Sequence, residues 1–112
     1  MIDRGADVNK PSFDGDTPLH GVCYVGKIGV MSILKEFGAN HKAKNMDGKI
    51  PLHCMIESGG IEKQNKISAI KAYKNLFGID LEVTDNNGIS IEWDLHNVFN
   101  EQEYESIVLG NV

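Results

Sequence analysis

The sequence has no apolar run near the ~18 residues that a membrane-spanning helix needs, and no basic segment followed by an apolar stretch at its start. A membrane partner is therefore not expected. Cysteine is scarce: Cys23 and Cys54 form neither a CxxC pair nor a dense framework. The chain needs no disulfide, so a reducing, cytoplasmic setting is the expectation. Basic residues are absent from Asp80 to Val112, which holds eight acids, whereas residues 1 to 79 carry eight acids against eleven bases. An acidic end and a modest basic excess elsewhere argue against nucleic acid, which requires a concentrated basic face. Gly-x-Ser-x-Gly, GxGxxG, HExxH and the phosphate-binding loop are all missing, and with them the common routes to catalysis. No enzyme activity and no cofactor are expected.

What is present is a repeat. Asp14-Gly15-Asp16-Thr17-Pro18-Leu19-His20 returns as Asp47-Gly48-Lys49-Ile50-Pro51-Leu52-His53, displaced by 33 residues. Gly5-Ala6-Asp7-Val8-Asn9 returns as Gly38-Ala39-Asn40-His41-Lys42 with the same displacement. One period shared by two landmarks is the mark of a stacked repeat architecture. Its chemistry is local. Asp14-Gly15 is a turn signal; Thr17 offers a hydroxyl to a helix start, and Pro18 loses nothing at the first helical position. Each unit thus opens with a turn, starts a helix and drops Leu19 or Leu52 into a core.

Thr-Pro-Leu-His, a glycine at the interhelix turn (Gly26) and Gly-Ala-Asp-Val-Asn at the unit boundary resemble the ankyrin-repeat family. The resemblance spans essentially the whole chain and is strongest in residues 1 to 53. It implies an all-α solenoid of stacked helix-turn-helix units with protruding hairpin turns, and recognition of another protein through a concave surface of turn tips and first helices. The family's usual contact positions fall on Phe13, Asp14, Asp16, Tyr24 and Val25 in one unit, and on Lys44, Met46, Asp47, Lys49, Glu57 and Ser58 in the next; Asn87, Ile89 and Asn97 are their counterparts in the third. Thr17, Pro18, Leu19, His20, Pro51, Leu52 and His53 carry the structural motif, the histidines bonding the turn and the neighbouring unit.

Along the chain, the residues read as one domain of four parts. Residues 1–9 look like the tail of a truncated unit, whose open face suggests either a longer array or self-association around Val8, Leu19, Val30 and Ile33. Residues 10–42 form the best unit, with Leu19, Val22 and Cys23 inward on the first helix and Val30, Ile33, Leu34 and Phe37 on the second. Residues 43–82 carry a seven-residue insertion near 60–66, about two helical turns, which lengthens the second helix without rotating its apolar face. Lys63, Lys66, Lys71 and Lys74 are expected on its outer side, and the insertion is expected to be dispensable for folding. Ile50 replaces the capping threonine there. Residues 83–112 form a degenerate capping unit in which Ser90, and Asn100 with Glu103, cap helices. Glu92, Asp94, Glu101, Glu103 and Glu105 cover its outside, and Trp93 is a core or lid residue.

The remaining candidates read as structural. Cys23 is a small core residue. His20 with Cys23, or His53 with Cys54, falls short of the four ligands of a zinc site, so no metal is expected. His41 and His96 look isolated and partly exposed. Two rival uses stay open: a targeting segment of a longer enzyme or pathogen effector, and a structural or dimerising spacer.

Overall fold

The computed structural model describes residues 8–110, so Gly5, Ala6 and Asp7 of the proposed truncated unit lie outside the described residues. The six helices of the described residues are α1 (Pro18–Val25), α2 (Ile28–Glu36), α3 (Pro51–Glu57), α4 (Lys63–Phe77), α5 (Ile91–Val98) and α6 (Glu101–Leu109). An isolated bridge between Thr84 and Ser90 is the one β feature among the described residues. Helices α1, α3 and α5 pack in one row, and α2, α4 and α6 in a second. The result is an all-helical stack measuring 43 × 29 × 23 Å.

The hairpin tips repeat bond for bond. Ser12, Asn45 and Asp85 each donate a backbone N–H across the tip, to the carbonyls of Asp16, Lys49 and Ile89, while Gly15, Gly48 and Gly88 donate back. Consecutive tips are then tied together: Met46 N–H donates to Asp14 O at 3.0 Å and Asn86 N–H to Asp47 O at 2.9 Å. This explains the glycines. Gly15 and Gly48 have φ of 81° and 76°, and a Cβ would sit 2.9 Å from Met46 N at the first and 2.7 Å from Asn86 N at the second. A side chain there would be strained and would also part the tips.

The histidines close each unit onto the next. Thr17 N–H donates to His20 Nδ1 at 3.0 Å, leaving Nε2–H to donate to Lys49 O at 2.7 Å. His53 does the same between Ile50 N–H (3.3 Å) and Ile89 O (3.0 Å). The helix start is therefore capped by an imidazole rather than by the expected threonine hydroxyl: Thr17 Oγ1 lies 2.9 Å from the same Nδ1. Because the imidazole serves both units, α3 keeps the arrangement without a hydroxyl, and Ile50 is free to be buried in the core.

The insertion lengthens a helix as expected, α4 having 15 residues against 9 in α2. Lys63 is exposed as expected, but Lys66 and Lys74 behave otherwise. Lys66 is buried, not outward, and its ammonium donates to Ile56 O (2.9 Å) and Ser58 O (2.6 Å) at the end of α3. Lys74 donates to Ile107 O and Val108 O at the end of α6. Both satisfy carbonyls that a helix end leaves unpaired, where the macrodipole favours a cation. Burial lowers the Lys66 pKa, the cost of that placement. Ile61 packs beneath Gly26. Residues 60–66 therefore contribute a cap and a contact to the stack.

Further corrections concern faces. On α2 the buried residues are Met31 and Leu34, whereas Val30, Ile33 and Phe37 are exposed. Val8 and Leu19, expected to be poorly covered, are in the core. Among the expected outer acids, Asp94 is buried. Trp93 is exposed at 53% and is not a core residue. His41 stacks on Phe77 (centroids 5.1 Å) and His96 on Tyr104 (3.9 Å), so neither is isolated. The Ser90 and Asn100–Glu103 caps form as read.

Candidate recognition surface

The tip-to-tip bonds put Phe13 and Met46 on adjacent hairpins, each at the outermost part of its turn. Phe13 is 98% and Met46 71% exposed, although both are large apolar side chains. Asp14 and Asp47 flank them, also exposed. The carbonyls of these aspartates hold the tips in line, while their side chains stay exposed. On the first-helix row Tyr24 and Val25 are exposed at the end of α1. Lys44 reaches the neighbouring boundary loop, donating to Thr84 O at 3.3 Å.

Four residues of the expected set are already bonded within the stack. Ser58 is buried and its hydroxyl donates to Tyr24 O at 2.7 Å, so it supports the end of α1 instead of meeting a partner. Asp16 accepts from Asn45 Nδ2 at 2.8 Å, a second tie between tips. Lys49 and Glu57 form an ion pair at 2.6 Å. The bond to Glu57 raises the Lys49 pKa. Burial pulls the Glu57 pKa upward, but hydrogen bonds from Asp94 and Lys49 outweigh it and leave it lowered. The sequence pattern did not reveal Asp94 as a member of this group. The signal was present in the alignment of units, where Asp94 takes the place of Gly21 and Cys54.

The structure also brings together a trio that sequence spacing did not suggest. Ligand atoms of Asp16, His20 and Cys54 lie within 4.8 Å of one another. Burial, then the Asp16 charge, pushes the Cys54 thiol up to about 12. His20 already uses one ring nitrogen on Thr17 and the other on Lys49. A metal here would need a thiolate and a freed imidazole, so the trio reads as packing.

Away from the hairpin tips, a groove of about 770 Å³ is lined by the charged Lys42, Lys44, Asp80 and Glu82 together with Ile50, Leu52, Tyr73 and Phe77. Of the expected contact residues only Lys44 touches it.

Comparison with known proteins agrees with this geometry. No protein-family model matches the chain. An ankyrin repeat protein of Rickettsia felis is 33% identical over 89 residues, which cover 75% of this chain and 39% of that protein. Rabankyrin-5 of mouse is 30% identical over 102 residues, 80% of this chain but 8% of its own length. A crystal structure of an ankyrin repeat domain from Acinetobacter baumannii superposes with a TM-score of 0.79, at 23% identity, over 95% of this chain and 53% of that one. The present chain thus spans well under half of the two sequence relatives. Stacked helix pairs, bonded hairpin tips and bridging histidines define an ankyrin-type solenoid. Together with these likenesses they make the chain an ankyrin-repeat protein. Ankyrin repeats generally mediate protein–protein interaction, and the fold is not a catalytic one.

Proposed function

We propose that the chain binds a partner protein through the row of hairpin tips and the adjoining first-helix residues, with Phe13 and Met46 as anchors. The observation that carries this reading is their exposure on bonded, glycine-constrained turns. Large apolar side chains held in a fixed position lose little entropy on binding, and aromatic anchors of this kind concentrate interface energy. Tyr24 and Val25 extend the apolar strip; Asp14, Asp47, Lys44, Lys49 and Glu57 border it with mixed charge suited to specificity. Ser58 and Asp16, which tie neighbouring units together, stay outside this surface. No cofactor enters this reading, and the partner is neither nucleic acid nor membrane. A cytoplasmic location belongs to the same proposal, supported by the two free thiols. In a longer protein the surface would serve as a targeting arm, a role compatible with the short span of the relatives that it matches.

The test is affinity capture with the wild-type domain and a Phe13→Ala/Met46→Ala variant, quantified by mass spectrometry. The variant should unfold at the wild-type temperature and lose captured partners by about 30-fold, the effect of one hot spot of ~2 kcal/mol. Equal capture by both proteins would overturn the assignment.

A second mode, self-association, is favoured by the exposed Val30, Ile33 and Phe37 on one face of α2. Sedimentation should show association rising with concentration, abolished by Ile33→Glu/Phe37→Glu. A wild-type monomer at all concentrations would refute it.

A further inference from the structure

Asp94 lies in the first-helix row, where its position in the two earlier units is occupied by Gly21 and Cys54. It is 3% exposed, and no group of the described residues donates a hydrogen bond to its buried Oδ2. A buried carboxylate in that condition is costly. Its neighbour is another carboxyl group, that of Glu57 on α3, which is itself held at 2.6 Å by Lys49. Two carboxylates in contact repel unless a proton lies between them. A proton on one of the facing oxygens replaces that repulsion with a hydrogen bond and removes the buried Asp94 charge.

We propose that Glu57 and Asp94 hold one proton between them, carried by Asp94, and that this proton is a pH-dependent latch fastening the last helix pair to the stack. The contact joins α3 to α5, so its loss loosens α5 and, with it, α6. Titratable and charged groups face the pair from each packed element. From α3 come Glu57 itself, His53 and Cys54, whose thiol is raised by burial and stays neutral; from the hairpins come Lys49, which favours ionisation of Asp94, and Asp85, which opposes it. On the α6 side the titratable groups engage one another instead, His96 stacking on Tyr104 and the Tyr104 hydroxyl lying 3.4 Å from Glu92.

Burial first, then the Glu57 hydrogen bond and charge, push the Asp94 carboxyl up to about 8. An unfolded aspartate titrates at ~3.9. Between those values the folded chain holds a proton that the unfolded chain has released, so stability is full below ~4, falls as pH rises, and levels off above about 8. Glu57 and Asp85 are shifted downward, so their opposite contribution is confined to the acid end.

The experiment is urea unfolding of the full chain at several pH values from 5 to 9, beside Asp94→Asn and Glu57→Gln, with carbon-13 NMR of the Asp94 carboxyl. In the wild type the unfolding constant should rise by up to about tenfold per pH unit. Asp94→Asn, which keeps a donor for Glu57 but cannot ionise, should remove that rise. Glu57→Gln should move the Asp94 titration to lower pH. Hydrogen exchange, corrected for its intrinsic pH dependence, should show α5 and α6 losing protection before α1 as Asp94 ionises. Should Asp94→Asn not fold, the wild-type NMR titration decides alone. A carboxyl titrating below pH 5, parallel profiles for wild type and Asp94→Asn, or protection lost uniformly along the stack would each overturn the proposal.

Discussion

The two ends of the stack solve one problem in opposite ways. Val30 and Ile33 of α2, with Phe37 at its C-cap, stand 40 residues before Ile70, Tyr73 and Phe77 of α4. In α4, Ile70 and Tyr73 are buried and Phe77 half-buried; in α2 all three counterparts are exposed, at 37%, 48% and 54%. At the other end the positions of Leu19 and Leu52 are taken by Glu92, and those of Cys23 and Ile56 by His96. Both replacements face solvent and are bound to Tyr104. One end therefore keeps the apolar chemistry of an interior unit, and the other has exchanged it for polar groups that need no cover. A stacking face is defined by identity at equivalent positions, and exposure alone does not distinguish a cap from an open face.

The largest effect that sharpens this comparison comes from making one substitution at equivalent positions. Ile70→Ala should cost about 2 to 5 kcal/mol, the range for emptying a buried aliphatic site. Val30→Ala, at the exposed counterpart, should stay within about 0.5 kcal/mol. Urea midpoints at low protein concentration measure both. Comparable losses would mean that the α2 face is covered after all, and the asymmetry between the ends would collapse.

How far the sequence alone disclosed this depends on which signal was periodic. The turns, the helix starts and the histidine bridges were readable because Asp-Gly, Pro-Leu and His recur at fixed spacing. The phase of α4 survived its insertion for the reason given by helical geometry. What could not be read was set by neighbours from other units. Apolar periodicity placed Val30, Ile33 and Phe37 inward, since a helix pattern reports which face is apolar and not whether anything covers it. Lys66 looked solvated because lysine usually is, yet the carbonyls at the end of α3 form a buried acceptor site that only the fold creates. The exposure expected of the contact set was legible at Phe13, Asp14, Met46 and Asp47, which lie at hairpin tips. It failed at Ser58, whose partner, Tyr24 O, belongs to the preceding unit. Asp94 was read as an outer acid because its companion is a carboxylate on another helix, a pairing no spacing rule encodes.

A smaller effect tests the same asymmetry through the histidines. His53 is buried and bonded at both ring nitrogens, so His53→Leu leaves Ile50 N–H and Ile89 O unpaired; each buried orphan costs about 1 to 3 kcal/mol. Burial lowers the His53 pKa despite the Ile89 bond, so the neutral ring is the form that works, and acid below the usual histidine range should weaken the same bridge. Trp93 occupies the equivalent position in the last unit, exposed, with no further hairpin beyond it among the described residues. Trp93→His restores the family residue and should nevertheless change stability by less than about 0.5 kcal/mol, because a bridge needs an acceptor from a following unit. A gain above ~1 kcal/mol would show that the imidazole caps its own helix strongly enough to act without that acceptor. In that case the contribution of His53 would lie mainly within its own unit. A null result at Trp93 beside a large loss at His53 places the value of the motif in the contact between units.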